Sequence, residues 1–162
     1  MSNTFTNLVW TDAAKTQVSA MSNGIPVLIP ADPRNRDFAS LDPATIGAYT
    51  PPPVTPADEA AAALAAGLTI TSTGTPTLDG TYALVGETQI FMLAEMVSLS
   101  ANGTFTNGST TILWPDVSGG GHSFNPTQFK NLAAACGAYI NALKAIISND
   151  AGTLPANTVT VP

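Results

Sequence analysis

Residues 112–124, with the sequence ILWPDVSGGGHSF, contain the side chains from which acyl-transfer sites are built. His122 is the only histidine of the chain, Asp116 precedes it by six residues, and Ser123 follows it directly. An imidazole titrates near neutral pH, and a carboxylate can hold it in the orientation that activates a serine hydroxyl. A catalytic loop is therefore one interpretation of the segment. The alternative is a β-hairpin, because a Pro-Asp pair and a run of glycines separate two extended stretches.

The surrounding sequence favours the hairpin. It contains no nucleophile elbow, and the only titratable neighbour of His122 is Asp116. The glycine run is not a phosphate loop, because no Gly-Lys-Ser/Thr pattern follows it. We therefore expect Trp114 and Phe124 to anchor the hairpin to helices, and His122 to pack or hydrogen-bond beside the turn. No catalytic residue, metal ligand or cofactor is expected.

The composition limits the classes of partner. Only 10% of the 162 residues are charged, and eleven acids against five bases give a formal net charge of −6. Bases this few and this scattered cannot neutralise a phosphate backbone, so nucleic acid is not an expected partner. The single cysteine, Cys136, lies in an apolar helical pattern, which predicts a buried small side chain rather than a reactive thiol.

The sequence predicts no export signal and no membrane insertion. Its first residues, MSNTFTNLVW, lack the basic start and the apolar run of a signal peptide. The longest apolar stretch, AAAALAAGL, is too short to cross a bilayer. We expect synthesis in the cytoplasm, followed either by a soluble state or by incorporation into an assembly.

Prolines 51–53 and 56 mark the clearest boundary in the chain, because they hold the backbone extended. We expect an α+β protein in three parts. These are a small β-rich N-terminal module at 1–50, a Pro- and Ala-rich linker with a short helix at 51–67, and a C-terminal domain at 68–162 with two main helices and a β-hairpin.

The N-terminal module should contain a hairpin and a short helix. The turn signal Asn23-Gly24 separates two β-prone runs, at about 17–21 and 25–29. Asp32 followed by Pro33 predicts the start of a helix that would direct Phe38 and Leu41 toward these strands.

The helix of the linker is predicted by its terminal residues. Thr55 is a capping residue, Pro56 suits the first helical position, and the acids Asp58 and Glu59 favour a helix N-terminus. Gly67 is expected to end this helix.

A second helix is predicted over the segment GETQIFMLAEMVSLSANG, after extended stretches at LTITST and DGTYAL. Its apolar residues cover much of the helix circumference, which predicts burial against its own domain or against a neighbouring subunit. The expected buried face consists of Ile90, Leu93, Ala94 and Val97, and is widened by Met92, Met96 and Leu99.

The last helix is predicted to begin at Asn125, with Pro126 in the first helical position and Gln128 completing a capping box. Its apolar residues then follow a heptad spacing. Two interpretations stay open, a core helix of a small α+β domain and a helix packed about a symmetry axis. The heptad seam consists of Phe129, Ala133, Cys136, Ile140, Leu143 and Ile147.

Two groups of motifs resemble bacteriophage proteins. The succession of DGTYAL, a helix, NGTFTNG, a Trp-Pro-Asp hairpin, His-x-Phe and a long terminal helix resembles a domain of unknown function near the C-terminus of tailed-bacteriophage tail and tail-fibre proteins. The segment IPADPRNRDFASL with the following YTPPP resembles a short module that opens many phage fibre proteins. The resemblance implies a virion structural role and names no catalytic residue. Candidates for attachment to the particle are Trp10, Arg34, Arg36 and Phe38.

The resemblance gives three hypotheses about function. The first is a short tail fibre or a component that connects fibre and tail. The second is a capsid decoration protein or a head fibre. The third is a host-glycan binding module, for which Trp10, Tyr82, Trp114 and His122 could stack or hydrogen-bond, although their apolar neighbours predict core positions. Other tail, baseplate or capsid proteins are the expected partners, and a homo-oligomer, most simply a trimer, is expected because fibre-like phage proteins are commonly trimeric.

Overall fold

The computed structural model describes residues 4–84 and 86–162. The chain consists of two compact units, Met1–Pro53 and Val54–Pro162. Helices and small separate sheets both contribute to it, which confirms the predicted α+β class. Within the described ranges, no helix is both long enough and apolar enough to cross a membrane.

The N-terminal unit is built on a three-stranded antiparallel sheet. Its strands are β1 (Phe5–Trp10), β2 (Gln17–Ser22) and β3 (Ile25–Pro30), in the order β1-β2-β3. Asn23 and Gly24 join β2 to β3 with φ angles of 52° and 79°. Two consecutive positive φ angles match the twist of a tight hairpin, so the predicted turn is confirmed.

The short helix of this unit, α1, spans Arg36–Ala39. Its cap is Asn35, whose side chain accepts hydrogen bonds from the backbone N–H groups of Asp37 and Phe38 at 2.9 and 3.2 Å. The predicted start at Asp32 is wrong. The Asp32 carboxylate instead accepts the backbone N–H of Arg34, in a turn that precedes the helix.

The core of the N-terminal unit is small. Phe38 and Leu41 pack against it from the α1 side, as predicted. A short 3-10 helix at Pro43–Thr45 brings Gly47 beside β1, where its N–H donates to the Leu8 carbonyl at 2.8 Å. The buried apolar residues of this core are Val18, Ala20, Ile29 and Ile46.

The C-terminal unit begins with helix α2, Pro56–Ala66. The Thr55 side chain and the Asp58 side chain form a capping box, which confirms the predicted start. Ala60 is fully buried in the core of this unit, and the Asp150 carboxylate accepts the N–H of Ala57 at 3.0 Å. The C-terminal unit therefore begins at Val54 and includes α2, which lies in the predicted linker at 51–67, because α2 is packed into the C-terminal core.

Gly67 ends α2 at a position that only glycine can occupy without strain. Its φ angle is +89°, and an added Cβ would lie 2.5 Å from the Tyr82 carbonyl oxygen. The chain then enters a three-stranded sheet formed by β4 (Leu68–Ser72), β5 (Gly80–Tyr82) and β8 (Thr158–Val161). β4 is the middle strand, antiparallel to β5 and parallel to β8.

Helix α3, Glu87–Asn102, buries only the widening residues of the predicted face, Met92 and Leu99, and not its centre at Ile90, Leu93, Ala94 and Val97. Met92, Glu95 and Leu99 are buried, whereas Leu93 and Val97 remain 64% and 58% exposed. The buried stripe includes a carboxylate because a loop partner satisfies it. Thr106 donates its backbone N–H to Glu95 at 2.8 Å and its hydroxyl to the other carboxylate oxygen.

The remaining elements are a hairpin of β6 (Ile112–Pro115) and β7 (Gly121–Phe124), and the long helix α4, Pro126–Asn149. A capping box between Asn125 and Gln128 confirms the predicted start of α4. The α4 side chain of Phe129 is fully buried. It meets three aromatic rings edge to face, those of Phe105, Trp114 and Phe124.

Candidate functional site

The β6–β7 hairpin carries the side chains that could do chemistry. Trp114 pairs with His122 across the two strands, and Ile112 pairs with Phe124. The rings of Trp114 and Phe124 are buried against Phe129, at centroid distances of 5.0 and 6.1 Å. The structure thus places both aromatic residues in the core, where they hold the hairpin on α4.

His122 is fixed between two acceptors. Its Nδ1 atom lies 2.7 Å from the Thr77 carbonyl oxygen, and its Nε2 atom lies 3.3 Å from Oδ2 of Asp116. A carbonyl can only accept, so Nδ1 donates, and Nε2 can donate to the carboxylate only when the ring is protonated. The Thr77 carbonyl and then the Asp116 carboxylate therefore raise the pKa of His122 above its ordinary value.

Asp116 organises the loop between the strands. Its carboxylate accepts the Ser118 hydroxyl at 2.7 Å and the backbone N–H groups of Ser118 and Gly120 at 2.9 and 2.8 Å. The Ser118 hydroxyl and these further donors, including His122, lower the pKa of Asp116 to about 2. A Cβ added at Gly120 would make a tight contact with this carboxylate, 3.2 Å from one of its oxygens.

The geometry does not join His122 to a nucleophile. Ser123 follows His122 on β7, and successive side chains of a strand point to opposite faces. Ser123 pairs with the exposed Leu113, whereas His122 faces Trp114 and the interior. The hydroxyl of Ser118 donates to Asp116 and not to the imidazole. The arrangement is that of a hydrogen-bonded turn, and Gly80 makes room for it, since an added Cβ would lie 3.2 Å from His122 Nε2.

The polar groups around the hairpin have partners of their own. The Tyr82 hydroxyl donates to the Leu78 carbonyl at 2.6 Å, and its ring packs edge-on against His122. Tyr82 is fully buried and Trp114 is 7% exposed, so neither ring offers a face to a glycan. Among residues 4–84 and 86–162, no group of three or more His, Cys, Asp or Glu side chains could hold a metal ion.

The heptad seam of α4 faces the core of its own unit. Phe129, Cys136 and Leu143 are buried, and the half-buried Ala133, Ile140 and Ile147 pack against the same cluster. Burial raises the pKa of the Cys136 thiol to about 12, so the thiol stays protonated and unreactive at neutral pH. Within the single chain, the seam thus belongs to the core of the C-terminal unit.

The four attachment candidates lie in the N-terminal unit. Trp10 and Phe38 are half-buried, with ring centroids 6.1 Å apart, and the Lys15 ammonium lies 5.8 Å from the Trp10 ring centroid. The side chains of Arg34 and Arg36 are both 91% exposed. Arg34 also donates to the Asp32 carboxylate through Nε and a terminal nitrogen, at 3.1 and 2.9 Å.

A groove between α3 and α4 was not predicted from the sequence. Its volume is about 470 Å³. The sequence contains a signal for this groove only in retrospect, since a helix with apolar residues over much of its circumference must expose some of them. Its walls include Met92, Leu93 and Met96 from α3, with Lys130, Ala133, Gly137, Ile140 and Lys144 from α4.

The comparisons with known proteins find no matching family model, no matching curated protein and no matching solved structure.

Proposed function

We propose that this chain is a non-enzymatic structural protein of a tailed-bacteriophage virion, either a short tail fibre or a component that connects fibre and tail. The proposal rests on the resemblance of its two motif groups to phage tail and fibre proteins. One observation of the structure supports the structural role. His122 and Asp116, the side chains that could take part in a reaction, instead form hydrogen bonds that organise a loop. Their partners are Thr77, Ser118 and Gly120.

The two units would have different functions within that role. The N-terminal unit would attach the chain to the particle through its exposed arginines, Arg34 and Arg36, and the half-buried aromatic pair Trp10 and Phe38. The C-terminal unit would assemble as a homo-oligomer. The protein would be made in the host bacterial cytoplasm and incorporated into the virion, with other tail, baseplate or capsid proteins as its partners.

Location in the particle is the direct test. An antibody against the C-terminal unit, used with mass-spectrometric counting on purified virions, should find a small number of copies at the tail. Hundreds of copies over the head would replace the tail proposal with a capsid decoration protein. Absence of the chain from purified virions would overturn both.

Attachment can be tested with matched variants of the exposed arginines. The double variant Arg34→Gln and Arg36→Gln should fold normally and be depleted from particles, because it removes charge from two exposed side chains. The control, Arg34→Lys with Arg36→Lys, keeps the charge and should be incorporated better. Equal incorporation of the wild type and both double variants would remove these residues from the attachment surface.

The non-enzymatic part of the proposal has its own test. The His122→Ala protein should still enter particles, since His122 contributes to a loop and not to a reaction. Hydrolysis of a glycan or an ester by the wild type, abolished by this substitution, would contradict the proposal.

A further inference from the structure

The outer face of α3 carries an unusual concentration of exposed apolar side chains. Eleven large apolar residues are exposed in the described parts of the chain, and four of them lie on this 16-residue helix. A contiguous apolar surface on a soluble domain indicates a binding surface. Ile90 at 67% exposure, Leu93 at 64% and Val97 at 58% lie on one side of the helix. Phe91, at 57%, lines a separate cavity beside β6.

The groove between α3 and α4 lies directly beside this face. Leu93 belongs to both, because it is exposed on the outer face and also lines the groove. The α4 wall contains Ala133 and Gly137, and a Cβ added at Gly137 would meet no atom within 4 Å. Small residues along one wall leave room for the side chains of an incoming helix. The α3–α4 face therefore combines a ridge, formed by the exposed side chains of α3, with a groove beside it.

We infer that this α3–α4 face binds a second copy of the same unit, with α3 of each copy lying in the groove of the other. A patch that contains both a ridge and a groove can pair with itself across a two-fold axis, which is the commonest symmetry of homo-oligomers. The result is a layer of four helices with the exposed side chains of both α3 helices inside it. This inference specifies the contact for the homo-oligomer proposed above, and it does not depend on the virion assignment.

The charges around the groove are complementary to those of a second copy of α3. The C-terminal unit contains seven acids and only two bases, and both bases, Lys130 and Lys144, line the groove. Their positions in α4 are about 21 Å apart along the helix axis, and α3 is about 24 Å long, at 1.5 Å per residue. A second α3 thus reaches from one lysine to the other.

The direction of the helices makes the pairing specific. Phe105, three residues beyond α3, packs edge-on against Phe129 near the start of α4 at 5.4 Å, so the C-terminal end of α3 lies near that start. The proposed pairing takes the two helices as antiparallel. Across a two-fold axis that pairs the α3 helices antiparallel, α3 of the second copy runs in the same direction as this α4. Its first residue, Glu87, then lies near Lys130, and its carbonyl-rich C-terminal end lies near Lys144.

The size of the face is of the order that a stable pair needs. Two neighbouring helices with an axis separation of about 8–10 Å and a length of about 24 Å present roughly 500 Å² in projection. Side-chain relief adds to this area, which approaches the ~800 Å² per partner of a standard interface.

The first test is the mass of the full chain in solution. Light scattering and sedimentation from ~1 to 100 µM, a range chosen around micromolar affinities, should give a dimer for the wild type. Leu93→Asp should weaken self-association at least a hundredfold. Its far-ultraviolet circular dichroism should not change, because Leu93 is exposed in the single chain. Its melting temperature should lose the dependence on protein concentration that a dimer confers. Leu28→Asp is the matched control, since Leu28 is 63% exposed but lies in the N-terminal unit.

A charge exchange tests the orientation. Glu87→Lys and Lys130→Glu should each weaken the dimer about tenfold, and the two together in one chain should restore most of the wild-type affinity. A merely structural effect of either substitution would add to the other rather than cancel it. An additive loss in the double variant would overturn the arrangement.

Three results of the mass measurements would overturn the inference. They are a wild type that is monomeric at 100 µM, a mass of three copies, and dissociation by Leu28→Asp comparable to that by Leu93→Asp. A protein that is monomeric alone and binds another virion protein through α3 would assign the face to that other partner. The particle location described above is measured separately. A dimer absent from virions refutes only the virion proposal, and a monomer found in virions refutes only the self-association.

Discussion

The two units of the chain bury very different amounts of apolar surface. Among residues 4–84 and 86–162, the N-terminal core contains four buried apolar residues, whereas the C-terminal core contains eighteen, with an aromatic group centred on Phe129. Each unit contains a hairpin, but only the C-terminal hairpin is covered by a long helix. The fraction of surface that a domain buries rises with its size, so the 53-residue unit is close to the lower limit of independent stability.

One chain thus combines a deeply packed C-terminal unit with an N-terminal unit of marginal stability. We expect the N-terminal unit to unfold at lower denaturant than the C-terminal unit. Fluorescence can separate them, because each unit has one tryptophan, Trp10 or Trp114. In a Trp10→Phe background, the signal reports only the C-terminal unit.

The largest expected effect is that of removing the ring at the centre of the C-terminal core. Phe129→Ala should lower the free energy of unfolding of that unit by about 4 kcal/mol, since it leaves a cavity among three aromatic rings. Urea unfolding in the Trp10→Phe background measures it. Val117→Ala, at an exposed position, should change the same free energy by less than about 0.5 kcal/mol. A loss below 1 kcal/mol for Phe129→Ala would mean that the core is loosely packed.

Gly67→Ala should cost the same unit about 3 kcal/mol, because the residue has a positive φ angle and an added Cβ meets the Tyr82 carbonyl at 2.5 Å. Gly103→Ala is the control. Gly103 also has a positive φ angle, but an added Cβ there meets no atom within 4 Å, so only the smaller conformational cost remains. Equal losses in the two variants would show that the β5 backbone moves aside.

In the N-terminal unit, Ile29→Val should lower the free energy of unfolding of the first transition by about 1 kcal/mol and leave that of the second unchanged.

Limited proteolysis compares the two units in another way. Cleavage near residues 51–53 should release a folded fragment that begins at about residue 54 and includes α2. A stable fragment that begins only at residue 68 would show that α2 is dispensable for the C-terminal core.

The smallest expected effect concerns pH. The pKa of His122 is raised in the folded state, so its contribution to stability is complete below the unfolded value of 6.5 and is lost as pH rises through the folded pKa. The pKa of Asp116 is about 2, so its carboxylate stays charged throughout this range. His122→Gln should remove a pH-dependent difference of no more than about 1 kcal/mol between pH 5 and 9. An unchanged pH profile in this variant would contradict the assigned contacts.

Local signals in the sequence predicted the elements that depend on local chemistry. The turn at Asn23-Gly24 and the caps at Thr55 and Asn125 are confirmed, because each acts on backbone groups within a few residues. The cap at Asp32 failed because Asn35, three residues later, also satisfies helix N–H groups. Strand β8 has no counterpart among the predicted elements, because its pairing with β4 joins residues that are distant in sequence.

The features that the sequence did not predict depend on tertiary contacts. The sequence of α3 has apolar residues on several faces, and the buried one was selected by contacts that include the Glu95–Thr106 pair. At the hairpin, the sequence identified His122 and Asp116 as neighbours. It could not identify the third partner, the Thr77 carbonyl, because a backbone atom 45 residues away has no side-chain signature.

The parallel pairing of β8 with β4 also determines the order in which the sheets can form as the chain leaves the ribosome. The strands of the N-terminal unit are sequence neighbours and can pair while the rest is being made. β4, with the apolar Leu68 and Ile70, must wait with one edge open until residues 158–161 emerge. A polypeptide released before Thr158 would keep that edge unpaired, and open edges of nascent chains pair with one another. Residues 158–161 thus determine whether the sheet closes within one chain or joins two.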